Sequence, residues 1–261
     1  MTKKRHTLRW IALTLTIGAL GVAQASLRAT DRQMVQAPRF EVDPVWPKPM
    51  PNHWILGSVI GVGVDSRDHV FIIHRGDSTL NQRTEAGLNA NPPIAECCAS
   101  APPILEFDPA GNLVKGWGGP GEGYVWPGSN HGVAVDDKDN IWIGGNGPTD
   151  SHILKFSHEG KFLQQIGTPG QGSASNDSTH FGRVAKITFD AKAGEAYVAD
   201  GYGASVAHVY SADRRYLKTI GTRGEGDNQF KTCHGIALDT RFGAPRLLIC
   251  DRETRRLVHT D

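Results

Sequence analysis

"ILEFDPAGNLVKGWGGPGEG" (104–123) returns as "ILKFSHEGKFLQQIGTPGQG" (153–172) and again as "VAHVYSADRRYLKTIGTRGEG" (206–226). In each copy an aromatic residue, Phe107, Phe156 or Tyr210, precedes a glycine by 11 positions: Gly118, Gly167 and Gly221. The copies are offset by 49 and 54 residues. Periods of that size belong to propellers and solenoids. A second phrase precedes each copy and occurs once more after the last: "GVGVDSRDHVFIIHR" (61–75), "GVAVDDKDNIWIGG" (132–145), "KITFDAKAGEAYVAD" (186–200) and "GIALDTRFGAPRLLICD" (235–251). Each has an apolar run ending in Asp65, Asp136, Asp190 or Asp239, a polar turn, and a second run rich in β-branched and aromatic residues. That composition reads as a β-hairpin.

The two phrases together supply four strands, which is one propeller blade. The expected fold is therefore all-β, a β-propeller of four-stranded blades over residues 54–261. Three blades are complete and a fourth stops near its third strand, about three and a half in all. Propellers usually have four to eight blades, so the chain is expected to be part of a larger ring, six-bladed when whole. The stretch "FEVDPVWPKPM" (40–50), within an N-terminal segment over 26–53, is a candidate ring-closing strand against the last blade.

The first 25 residues read as a leader. Lys3, Lys4, Arg5 and Arg9 are followed by the apolar run "WIALTLTIGALGVA" (10–23) and by Ala23-Gln24-Ala25, a small-residue cleavage site. Export to the periplasm or the exterior is expected, with no membrane association after cleavage. Removal of the leader leaves 24 basic against 27 acidic residues, a net charge of −3, which argues against a nucleic-acid partner. Export permits disulfides. Cys97 and Cys98 are adjacent, and Cys233 and Cys250 flank a predicted hairpin. A vicinal disulfide, two bonds to other cysteines, and free thiols all remain open. The Cys97-Cys98 pair lies in a long insertion over 76–103, which reads either as a lid or as a disordered excursion.

Strand order localises the chemistry. The first strand of a blade starts on one face and the second returns to it, so the start of one and the end of the other share a rim near the axis. His131 and His234 stand at that start in blades two and four, while blades one and three have Ile60 and Ala185 there. Histidine in alternate blades of a sixfold ring suits a three-histidine metal site with an open position, the form of a catalytic zinc. The plainer reading is that both histidines cap strands. Arg75, in "HRGD", and Tyr202, in "DGYG", end second strands on the same rim. An arginine there can hold an anion and a tyrosine there can act as a base; a surface ion pair and a packing residue are the plainer readings. The carboxylates of "DDKDN" (136–140) read as a hairpin turn before they read as a calcium loop.

"VDDKDNIWIGG" and "ILKFSHEGKFLQQIG" resemble the NHL-repeat family of β-propellers. With the histidines, the "HRGD" arginine and the "DGY" tyrosine, the resemblance extends to peptidyl-α-hydroxyglycine α-amidating lyases. It implies a six-bladed propeller with a three-histidine zinc site and a structural calcium. It implies zinc ligation by His131 and His234, catalytic roles for Arg75 and Tyr202, and C–N cleavage that releases glyoxylate. The family's third histidine has no counterpart here, and His259 lies in a different strand of its blade. Three functions stay open: a zinc-dependent lyase acting on a peptide or small-molecule substrate, a non-catalytic propeller binding a peptide or protein partner on the same face, and an inactive fragment.

Overall fold

The computed structural model describes residues 37–172, 180–211, 213 and 215–260. The leader over 1–25 lies outside them, as does "NDS" (176–178), which reads in the sequence as a glycosylation sequon. The chain divides into two compact units, Met1–Pro44 and Val45–Asp261. The described part of the first, 37–44, has no strand or helix.

In the second unit, β1 (Trp54–Ile55) precedes β2 (Ser58–Val64) and β3 (Val70–Arg75). Next come β4 (Ala99–Ser100), β5 (Ile104–Phe107) and β6 (Leu113–Trp117). β2, β3, β5 and β6 pair in that order as blade one. Blade two is β7 (Asn130–Val135), β8 (Ile141–Gly145), β9 (His152–Phe156) and β10 (Phe162–Gly167). Blade three is β11 (Lys186–Asp190), β12 (Glu195–Asp200), β13 (Val206–Ser211) and β14 (Tyr216–Ile220). A small parallel pair follows, β15 (Thr222–Arg223) and β16 (Gln229–Phe230). Blade four has three described strands, β17 (Cys233–Asp239), β18 (Arg246–Asp251) and β19 (Arg256–Thr260). Pairing within every blade is antiparallel. Among the described residues no helix is long and apolar enough to cross a membrane.

Side chains alternate across each strand, so a blade between two others buries both faces, while blade four buries the face toward blade three. Phe71, Ile73 and Ile104 of blade one pack with Val133, Ile141, Ile143, Leu154 and Phe156 of blade two. Trp142 and Ile153, on the other face of blade two, join Ile187, Val198 and Tyr210 of blade three. Tyr197, Ala199, Ala207 and Val209 meet Ile236, Leu247 and Ile249 of blade four. The apolar core therefore lies between blades.

The expected ring-closing strand does not form at 40–50, which carries no regular strand. Its unit-two part lies instead on blade one. Lys48 N donates to Gly111 O at 2.9 Å, Trp46 stands 5.7 Å from Phe107, and Trp46, Met50, Trp54 and Leu56 cover Ile72, Leu105 and Phe107. That apolar face of blade one is not shared with blade two, and these residues bury it.

The insertion after Arg75 is ordered. It opens with a helical turn, Gly76–Thr79. It closes with β4 paired in parallel to β1, beside a Cys97–Cys98 disulfide. Cys233 and Cys250 are free thiols, and burial pushes the Cys233 thiol well above the usual range. "DDKDN" is a hairpin turn. Asp136 accepts from Lys138 N at 3.0 Å and Asn140 N at 2.9 Å, and Asp139 takes a left-handed φ of 55°.

Candidate functional site

A buried acid anchors the loop that enters the first strand of each of three blades. Asp150 accepts from Gly128 N (2.8 Å), Ser129 N (2.9 Å) and Gly147 N (2.7 Å). Asp200 accepts from Gly182 N (2.6 Å) and Arg183 N (2.7 Å). Asp251 accepts from Lys231 N (3.0 Å) and Thr232 N (2.9 Å). In blade one His74 Nδ1 takes the equivalent bond from Gly57 N at 3.2 Å. Carboxylates that satisfy several backbone donors fix a loop strongly. These loops deliver the next residues, among them His131 and His234, to the rim.

The strand register breaks at both His-Gly pairs, between His131 and Val133 and between Cys233 and Gly235. Bulges of this kind re-aim a side chain. Gly132 has φ of 63°, and a Cβ there would meet the Ala185 carbonyl oxygen at 2.7 Å. The same carbonyl accepts from His131 Nδ1 at 2.8 Å. A proton held on Nδ1 leaves the Nε2 lone pair facing the axis, the tautomer a metal-ligating histidine needs.

The rim brings three of the four expected residues together. Tyr202 Oη lies 3.1 Å from His131 Nε2 and 2.9 Å from His234 Nε2. The ring centroids are 5.3 Å apart for His131–His234 and for His131–Tyr202, and 5.4 Å for Tyr202–His234. Burial pushes the His131 imidazole down to about 4. Burial, with Arg252 beside it, also lowers His234. Arg75 is turned to other partners. Its Nε donates to Asn130 O at 2.9 Å and its guanidinium to Asn146 Oδ1 at 2.7 Å.

A second arginine takes the place beside the tyrosine. Arg252 donates to Tyr202 Oη at 3.3 Å and stands 5.2 Å from the ring centroid, while Glu253 accepts from it at 2.7 Å. Sequence reasoning missed Arg252 and the three anchoring acids. The signal was present: Arg252 directly follows the second strand of blade four, Arg75 ends that of blade one, and Asp200 and Asp251 occupy matching strand ends. His259 lies elsewhere, 3.2 Å from Asp239 Oδ2.

Tyr202 Oη can donate to the His131 Nε2 lone pair and accept from His234 Nε2–H, so hydrogen bonds alone satisfy this cluster. With His234 in the other tautomer, the two imidazole nitrogens would supply part of a zinc donor set. The calcium implied by the resemblance finds no such fit. Calcium takes six to eight oxygens, and the described side chains that gather three donors are Asp65, Glu106 and His158, a mixed set.

No family model matches the chain. In sequence it is similar to NHL repeat-containing protein 3 of Mus musculus, 26% identical over 231 residues, which are 85% of this chain and 57% of that protein. It is also similar to peptidyl-alpha-hydroxyglycine alpha-amidating lyase 1 of Drosophila melanogaster, 28% identical over 231 residues, 83% of this chain and 37% of the lyase. A solved protein of unknown function from Bacteroides thetaiotaomicron superposes with a TM-score of 0.53 at 11% identity, over 77% of this chain and 46% of that one, a likeness of fold alone. The chain thus spans just over half the length of the first relative and less of the other two. Its repeats and its blades make it a β-propeller, similar in sequence to NHL-repeat proteins.

Proposed function

We propose that this rim contributes to a zinc-dependent lyase site that cleaves α-hydroxyglycine-extended peptides into a peptide amide and glyoxylate. The observation that carries the reading is the convergence of His131, Tyr202 and His234, from three successive blades, within 3.1 Å of one hydroxyl oxygen. The sequence similarity to an amidating lyase points the same way.

His131 and His234 would hold zinc through Nε2, and zinc when bound supplies Lewis acidity toward a substrate hydroxyl or a water. Tyr202, as a phenolate, accepts the substrate hydroxyl proton. Arg252, at 3.3 Å from the phenol oxygen, stabilises its negative charge. The electron pair of the broken O–H bond forms the aldehyde carbonyl, the C–N bond breaks, and the departing amide nitrogen takes up a proton. No oxidant or reductant enters. Arg75, held by Asn130 and Asn146, has N–H groups beyond those two bonds with which to hold the substrate carboxylate.

Zinc-supplemented protein should release glyoxylate from an α-hydroxyglycine peptide. Tyr202→Phe should lower kcat by about 100-fold or more, the scale of a lost general base, while zinc content stays unchanged. Zinc-bound protein that releases no glyoxylate would favour the second reading, a peptide-binding propeller like many scaffolds of this architecture. Undiminished turnover in Tyr202→Phe would remove the tyrosine from the chemistry.

A further inference from the structure

The aspartate that ends the first strand of each blade uses one carboxylate oxygen on its own turn. Asp65 Oδ1 accepts from Arg67 N at 2.9 Å and His69 N at 2.8 Å. Asp136 and Asp190 bond their turns in the same way. The other oxygen needs a partner. In blade two Asp136 Oδ2 receives Lys155 Nζ at 3.0 Å and Trp142 Nε1 at 2.9 Å. In blade four Asp239 Oδ2 receives Arg241 and, at 3.2 Å, His259. Blade one departs from this pattern. The position of Lys155 in "ILKF" is taken by Glu106 in "ILEF", so a second carboxylate stands where blade two has a cation.

Two imidazoles meet these carboxylates. His158, from the outer turn of blade two, places Nε2 2.9 Å from Asp65 Oδ2 and 3.6 Å from Glu106 Oε1. His69 Nδ1 lies 2.7 Å from Glu106 Oε1. The Asp65 and Glu106 side chains are 0% and 3% exposed. Asp65 also accepts from Arg67 N and His69 N through Oδ1, so its turn fixes the carboxylate in place. The lid of this cluster is Arg67. Its guanidinium is 3.2 Å from Asp65 Oδ2 and 3.8 Å from Glu106 Oε1, but its side chain is 55% exposed. A half-exposed arginine is a weak ion-pair partner and can swing into solvent. Arg67 also donates to the His158 ring, so a bound ion would take the place of the guanidinium.

We propose that Asp65, Glu106 and His158, whose donor atoms all lie within 4.8 Å of one another, form a second metal site, for a divalent ion of the zinc class, at the seam of blades one and two, with His69 bonded to Glu106 behind it. One imidazole nitrogen and two carboxylate oxygens, with a fourth position for water, are a donor mixture of zinc and its first-row neighbours and are a poor set for calcium. Asp65 is held by its turn and His158 packs edge-on against Phe71 at 5.3 Å, so the ligands come preset. The site is on the rim opposite His131, one strand or about 20 Å away. The ion would tie β2 and β5 of blade one to the β9–β10 turn of blade two. Its binding would raise the thermal midpoint rather than serve the lyase chemistry.

The test removes the first site and asks for the second. A His131→Ala/His234→Ala protein, dialysed against zinc and analysed for metal, should keep one zinc per chain. Its midpoint should rise by about 5 °C at a zinc concentration ~100-fold above the dissociation constant. Adding His158→Ala, or Glu106→Lys, should abolish both effects. Glu106→Lys installs the pair that blade two already uses, so it should keep the native circular dichroism. Absence of zinc from the double variant would overturn the proposal, as would zinc that persists unchanged through Glu106→Lys and His158→Ala.

Discussion

Gly132 carries two constraints on one small volume. Its φ of 63° lies in the left-handed region, and a Cβ would press on the Ala185 carbonyl at 2.7 Å, the same oxygen that sets the His131 tautomer. Gly132→Ala should therefore destabilise the fold by about 1–3 kcal/mol, seen in urea titration. It should also weaken zinc binding by moving Ala185 away from Nδ1; a stable variant with unchanged zinc affinity would contradict this. The His-Gly pairs were legible in the sequence because a short phrase recurs two blades apart. Arg252 was harder to see. Its partner Tyr202 lies 50 residues away, and only the blade register brings the two together. The anchoring acids were hidden for a similar reason, since Asp150, Asp200 and Asp251 bond backbone 17–22 residues away. The matching strand ends of Asp200 and Asp251 could be read, but the backbone donors they serve leave no side-chain pattern.

Within a blade, Asp136 and Lys155 form an ion pair at 3.0 Å with 7% and 8% of their side chains exposed. Burial alone would raise the Asp136 carboxyl, but bonds from Trp142, Lys155 and its own turn hold it below the ordinary value. A depressed native pKa stabilises the fold above the unfolded carboxyl's pKa, and that contribution fades as pH falls through the native value. Lys155→Met should cost about 3–5 kcal/mol at pH 7, because a buried carboxylate loses its cation. The deficit should shrink as pH falls below the ordinary carboxyl range and through the depressed native value. Equilibrium unfolding at pH 7 and pH 3 checks this, and an equal deficit at both would contradict it. Strand pairs were legible from period-2 alternation and aspartate-bounded turns. The fate of 45–56 was not. Trp46, Met50 and Trp54 have no strand pattern, and what places them is the apolar face of β3 and β5 that they cover.

At the scale of the whole molecule, the shared cores decide behaviour. Phe156 is 1% exposed and packs with residues of blade one as well as its own. Phe156→Ala should cost about 3–5 kcal/mol and lower a single unfolding transition, since neighbouring blades stabilise one another. A split transition in calorimetry would show blades that melt independently. The repeat period alone announced the propeller. The rim was legible as a place, and His131, His234 and Tyr202 as its occupants. The partners of Arg75 and the second arginine depended on side-chain packing that repeats do not encode. The most direct test of a metal centre built from separate blades is zinc titration of the chain beside its His131→Ala/His234→Ala variant. The account predicts one zinc fewer per chain in the variant; equal stoichiometry and affinity in the two proteins would contradict it.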